Sequence, residues 1–151
     1  MNNKYEFTGE TLEYEGKTLH RIRALRDFGD VKAGEVGGWV ESEANLSHKN
    51  LAWISDNARV TDNARVSGNA RVSATKDYCT CGPIGSRNDY TTVFRDSKLG
   101  VRVVCGCFSG SLDDFEKAVN KTHPYDQHGM EYRALIALAR IRFAYVFDEI
   151  T

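Results

Sequence analysis

Residues able to do chemistry concentrate in one short stretch. Gly82-Pro83-Ile84-Gly85-Ser86-Arg87-Asn88-Asp89 is rich in helix and strand breakers and reads as a loop. Its glycines let backbone amides approach an anion closely. Ser86 and Asn88 offer hydrogen-bond donors, and Arg87 can grip a phosphate with two parallel bonds. Thr91, Thr92 and Arg95 follow on the next segment, where strand alternation lets only one threonine face the loop side. The stretch is neither a P-loop nor a dinucleotide fingerprint, because the Gly-Lys-Ser/Thr ending and the GxGxxG spacing are both missing. The competing reading is a plain turn with a solvated arginine. The expected ligand contacts are Ser86, Arg87, Asn88, Thr92 and Arg95.

Two further groups carry reactive atoms. Cys79-Thr80-Cys81 and Cys105-Gly106-Cys107 are CxC pairs on expected strands, so each pair shares one face. Were those strands neighbours, four thiolates could surround zinc, but zinc sites usually take CxxC on turns. Small buried cysteines are the preferred reading, and no metal is expected. His123 precedes Pro124 at the expected end of a helix, where a capping role is favoured over a catalytic one. No Ser-His-Asp, Cys-His or paired-carboxylate pattern stands out. The expectation is a binding protein with no cofactor and no catalytic residue.

The elements that must position these groups begin with a repeat. Six hexads align as Gly38–Glu43, Ala44–Lys49, Ala52–Asn57, Ala58–Asn63, Ala64–Asn69 and Ala70–Thr75, with Asn50-Leu51 inserted after the second. The first position is always Gly or Ala. The third is Val40, Leu46, Ile54, Val60, Val66 and Val72. One inward aliphatic per hexad, a small residue two positions earlier, and Asp-Asn or Gly-Asn at the corners fit a triangular coil with three hexads per turn. The spacing predicts a short left-handed hexapeptide-repeat β-solenoid over 38–75. Residues one coil apart then stack, placing Trp39 over Arg59 and Trp53 over Arg71, where cation–π contacts are expected. Arg59, Arg65 and Arg71 fall on three different faces and form no ladder.

Residues 1–37 alternate around Glu15-Gly16 as a β-hairpin and are expected to cap the solenoid. Residues 76–151 change character. Tyr78–Cys81, Tyr90–Arg95 and Val101–Phe108 read as strands. Ser111 caps a helix with Leu112, Phe115 and Val119 on its buried face, and a second helix runs from about Gly129 to Arg142. The tail from Phe143 to Ile150 reads as a strand or a docking segment. The fold class is therefore mainly β with a C-terminal α+β module: a solenoid followed by a small antiparallel sheet with two helices.

Composition sets outer limits. The chain has 151 residues and a formal net charge of -1, with 41% hydrophobic and 27% charged residues. This is an ordinary globular composition, and bulk charge argues against a nucleic-acid partner. No secretory signal or membrane span is expected, and the cysteines should stay reduced.

The residues also carry a resemblance. Lys4–Thr11, Leu19–Gly38 and the Asn-Ala-Arg-Val repeats are similar to phage and prophage proteins. Cys81–Phe94, the block from Cys105 to Phe115 and Lys121-Thr-His resemble phage anti-Thoeris proteins, which sequester cyclic ADP-ribose-type immune signals. This resemblance implies a non-enzymatic homo-oligomer in the cytoplasm of an infected bacterial host. It also implies that Arg87, Asn88, Thr92 and Arg95 contact phosphate, ribose or base of a cyclic nucleotide-type ligand. The long repeat-bearing N-terminal half departs from that pattern. The alternative is a phage inhibitor that binds a protein, anti-CRISPR-like, or a structural oligomerisation module, acting through a solenoid face. Six hexads, with no histidine beyond His48 near the insertion, are few for the acyltransferases that often use such repeats.

Overall fold

The computed structural model describes residues 3–150, without the side chains of 148–150. The chain divides into two compact units, Met1–Asp77 and Tyr78–Thr151. The fold is mainly β with a C-terminal α+β part. Among the described residues, no helix is long and apolar enough to cross a membrane.

The first unit opens with β1 (Tyr5–Tyr14) and β2 (Lys17–Ala24), joined at Glu15 and Gly16, whose φ angles of 51° and 78° make the tight hairpin turn. Then come β3 (Val36–Val40), β4 (Trp53–Ile54), β5 (Arg59–Val60) and β6 (Arg71–Val72). One sheet has the order β1-β2-β3-β5, and β4 pairs with β6 separately. The pairings across the repeat are parallel: Val40 lies opposite Val60, Leu46 opposite Val66, and Ile54 opposite Val72. Each partner is three hexads further along. All six third-position aliphatics are buried, at 0–1% exposure. Positive φ falls on Asp56, Asp62 and Gly68, the residue before each corner asparagine. At Gly38 an added Cβ would stand 2.7 Å from the Ala58 carbonyl oxygen, so the first position must be small where β3 approaches the chain before β5.

Tryptophan and arginine do sit opposite each other at Trp39/Arg59 and Trp53/Arg71, but the contacts differ from those expected. Arg21 covers the Trp39 ring at 4.9 Å, and Arg59 lies over Tyr14 at 4.7 Å. Arg71 bonds Asp30 at 2.5 Å, and Trp53 meets the edge of Phe28. Residues of the 1–37 segment reach these side chains first. Backbone register fixes which residues are level, not which side chains touch.

Two polar side chains close turns of the repeat region in the same way. Asn45 is buried, and its Oδ1 accepts from the amides of Glu41 and Ser42 while its Nδ2 donates to the carbonyls of Asp62 and Ala64. Asp77, also buried, accepts through Oδ2 from the amides of Ser73 and Ala74. Each stands five residues after a column valine, Val40 or Val72, at the end of a short 3-10 turn. The Asn50-Leu51 insertion opens carbonyls that a lysine fills. Lys4 is fully buried, donates from Nζ to the carbonyls of Ala52 and Lys49, and lies over the Phe28 ring.

The second unit has β7 (Tyr78–Ile84), β8 (Asp89–Asp96), β9 (Gly100–Cys105) and β10 (Phe108–Ser111), all antiparallel in the order β10-β9-β8-β7. Helices α1 (Leu112–Thr122), α2 (Gln127–Arg142) and α3 (Ala144–Ile150) follow. Ser111 caps α1 by accepting from the Asp114 amide, and Asp126 caps α2 by accepting from the Gly129 amide. Their buried faces, Leu112, Phe115, Val119, Tyr132, Ile136 and Ala139, pack on Val93, Val101 and Val103 of the sheet. The tail, expected as a strand or a docking segment, is α3, with Phe143 and Val146 joining that core. β10 is an edge strand, and its Phe-Ser-Gly-Ser sequence after the Gly106-Cys107 turn reads as loop.

Candidate functional site

A cleft of about 210 Å³ lies in the second unit. Ser86 and Arg87 form one wall from the β7–β8 turn, and Cys105, Cys107 and Phe108 contribute from the β9–β10 region. Phe115, Ala118, Val119, Thr122 and His123 line it from α1 and its cap, and Tyr132 from α2. The apolar part is a run of rings: Phe108 meets Phe115 at 5.3 Å, and Phe115 meets the edge of Tyr132 at 5.6 Å. The polar part is Arg87, Ser86, His123 and the Tyr132 hydroxyl.

The turn that carries Arg87 is held from below by α2. Gly85 is buried, with φ 76°, and its amide donates to Glu131 Oε1 at 3.1 Å. No room exists there for a Cβ, because the Tyr132 hydroxyl fills that space. Asn88 closes the turn with φ 49°, a left-handed conformation that asparagine tolerates, and its amide donates to the Gly85 carbonyl. Burial pushes the Tyr132 phenol up, and Cys105 adds to this, while bonds to Ser86 pull the other way. It therefore stays protonated near neutrality.

Arg87 is exposed, and its guanidinium lies over Gly106, with Nη2 4.0 Å from Cys107 Sγ. Gly106 permits this: an added Cβ would sit 3.0 Å from Arg87 Cδ. Arg87 makes no ion pair among the described residues, so its charge is free for an anion.

Of the five residues expected to bind ligand, Ser86 and Arg87 line the cleft, and Asn88 belongs to the same turn. Thr92 and Arg95 do not line it. Thr92 is buried on β8, on the opposite sheet face from Val93, and Arg95 lies two residues beyond Val93, half-buried. Thr91 is the threonine on the helix-covered face, and its Oγ1 is buried with no hydrogen-bond partner among the described residues.

The cysteines do not form one group. β8 separates β7 from β9, and Thr91 stands between Cys81 and Cys105. Cys107 sits in the turn before β10, not on a strand. All four are free thiols, and among the described residues no three His, Cys, Asp or Glu side chains gather as a metal site. Burial raises the Cys79 thiol above its usual range.

His123 and Tyr132 were legible only as a helix end and a core ring. His123 is the C-cap of α1: its amide donates to the Val119 carbonyl at 2.7 Å, and its Nδ1 meets Asp126 Oδ2 at 2.9 Å. The one available signal was the His-Pro-Tyr-Asp spacing, which brings an acid three residues on.

No protein-family model matches the chain. A stretch of 38 residues, 25% of this chain, is 45% identical to a protein of Escherichia coli (strain K12) named uncharacterized acetyltransferase YdcK. That stretch spans 12% of the relative's length, so the likeness is partial.

Proposed function

We propose that this chain binds a phosphate-bearing nucleotide without turning it over, and that it serves as a phage immune-evasion protein sequestering a cyclic nucleotide or cyclic ADP-ribose-type signal. The single observation that carries this reading is Arg87: an exposed guanidinium without a carboxylate partner, on a turn pinned by Glu131 and Tyr132, at the mouth of a ring-lined cleft. A fixed cation beside aromatic rings suits a phosphate next to a base or ribose. At about 210 Å³ the cleft is smaller than a typical ligand pocket of roughly 300–1,000 Å³. It matches one end of a nucleotide, and in a homo-oligomer a second copy would cover the rest. The exposed apolar side chains Met130, Leu138 and Ile141 on α2 support such an assembly.

In this reading Ser86, Arg87 and Asn88 act from the turn. Thr92 and Arg95, also expected as contacts, do not line this cleft. The parallel stacking of hexads supports a left-handed hexapeptide-repeat β-solenoid as the scaffold of the first unit.

A thermal-shift screen against cyclic nucleotides and ADP-ribose derivatives tests the proposal. A ligand that stabilises the protein and is recovered intact after denaturation supports it. No shift with any of them removes it.

A second reading rests on the first unit. Arg21 and Arg59 stack on Trp39 and Tyr14, have no carboxylate partner among the described residues, and keep their Nε atoms buried and unbonded. Such a cationic–aromatic row suits an acidic protein surface, as in an anti-CRISPR-like inhibitor. Capture of a host protein by wild type, lost on Arg21→Ala, would favour it. The partial likeness to a protein named as an acetyltransferase makes acetyl-coenzyme A a necessary member of the screen.

A further inference from the structure

Beyond the phosphate contact, the cleft holds a second polar group whose hydrogen-bonding sense is fixed by its neighbours. His123 Nδ1 lies 2.9 Å from Asp126 Oδ2, and Asp126 Oδ1 accepts from the Gly129 amide at 2.9 Å. The carboxyl is thus held at both oxygens. These two bonds, the one to His123 foremost, lower its pKa and favour the ionised form. An ionised carboxylate only accepts hydrogen bonds, so Nδ1 must carry the proton. In a neutral imidazole, Nε2 is then a bare acceptor. It has no hydrogen-bond partner among the described residues, and it points away from Asp126 on a ring that lines the cleft.

The backbone of His123 is held on both sides. The His123 amide is tied to the Val119 carbonyl, and its own carbonyl accepts from Arg133 Nη1 at 3.1 Å. Gly129 approaches that carbonyl so closely that any Cβ there would collide with it. The His128 ring stands at 75° to the His123 ring, 5.6 Å away.

We propose that His123 is a specificity residue that reads a hydroxyl on the bound ligand, so that the cleft prefers ribose over deoxyribose. Arg87 takes the phosphate, and Nε2 accepts a hydrogen bond from a sugar hydroxyl in the same cleft. A deoxy sugar would leave that nitrogen desolvated and unpaired, and unpaired buried groups are where discrimination arises. Asp126 acts through His123 and is a positioning residue.

The inference rests on the nucleotide reading of this cleft, and two measurements separate their fates. The first needs no ligand: 15N–1H correlation spectra of the imidazoles in the neutral form. The proposal requires His123 to carry its proton on Nδ1 in wild type. Asp126→Asn keeps an N-cap for α2 but can offer an N–H to the ring, so the proton should move to Nε2. A wild-type proton on Nε2 overturns the proposal outright. The second measurement is titration calorimetry with adenosine 5′-monophosphate and its 2′-deoxy and 3′-deoxy forms. Wild type should bind at least one deoxy form about tenfold more weakly. His123→Phe should bring the three within about twofold of each other, whereas Asp126→Asn, in which the His123 Nε2–H can still donate to the hydroxyl oxygen, should keep part of the preference. If the ribonucleotide binds and the deoxy forms bind equally well, hydroxyl reading is wrong while the nucleotide site stands. If no nucleotide binds wild type, the site reading and this inference fall together.

Discussion

The Tyr132 hydroxyl occupies the space that a side chain on Gly85 would need. One residue on α2 thereby dictates the backbone of the turn that carries Arg87. Gly85 also has φ 76°, so an alanine would be strained as well as crowded. Gly85→Ala should cost about 2–4 kcal/mol in thermal or urea unfolding. Gly34, at φ 90° with open space around it, is the control: its alanine variant should lose only the backbone cost, about 1–2 kcal/mol.

Arg87 should matter for binding and hardly at all for folding. Arg87→Ala removes a charge-assisted contact of about 1.5–3 kcal/mol, a loss of roughly tenfold to a hundredfold in affinity for any phosphate-bearing ligand the screen finds. Unfolding should move by less than about 0.5 kcal/mol, since the side chain is exposed. Arg59→Ala, in the first unit, should leave binding unchanged. Equal binding by Arg87→Ala and wild type would end the site assignment.

The repeat should fail at its polar corner as well as in its apolar column. Asn45 serves two amides and two carbonyls. Asn45→Ala strands them in a buried corner and should cost about 2–4 kcal/mol in chemical unfolding. Val66→Asp, which places an unpaired charge in the column, should cost more. A loss below about 1 kcal/mol for Asn45→Ala would mean that water replaces its bonds.

Lys4 gives the first unit a pH dependence of definite sign. Burial, aided by Arg26, lowers its pKa from 10.5 to about 8. Between pH 8 and 10 the folded chain has shed this proton and the unfolded chain still holds it. Unfolding then takes up a proton, so stability rises with pH. The gain should be about 1–2 kcal/mol across that window, and Lys4→Met should abolish it. Above pH 10 the sense reverses, because burial pushes the Tyr5 phenol up and only the unfolded chain ionises there. Guanidinium titrations at pH 7.5, 9 and 10 would show whether wild type gains on the variant.

The repeat was legible because its signal is local and periodic. A small residue, then an aliphatic two places on, every six residues, leaves the chain few ways to bury Val40, Leu46, Ile54, Val60, Val66 and Val72 together. The hairpin at Glu15-Gly16 and the caps at Ser111 were equally local, each set by a few neighbouring side chains and their own backbone. The turn around Arg87 could also be recognised from its composition. Its surroundings could not. Strand order put β8 between the two CxC pairs, and order is decided by which edges find partners, not by the strands' own residues. Tyr132 and His123 reached the cleft because the chain folds back between α1 and α2 at His123–Asp126, so residues 46 and 37 positions after Ser86 line the same space. Lys4 became buried because the carbonyls of Lys49 and Ala52, on either side of the Asn50-Leu51 insertion, accept from its Nζ. Residue types and spacing determined the elements and the chemistry on offer. Packing decided which of those groups share a cleft, since only burial in three dimensions sets who is left unpaired.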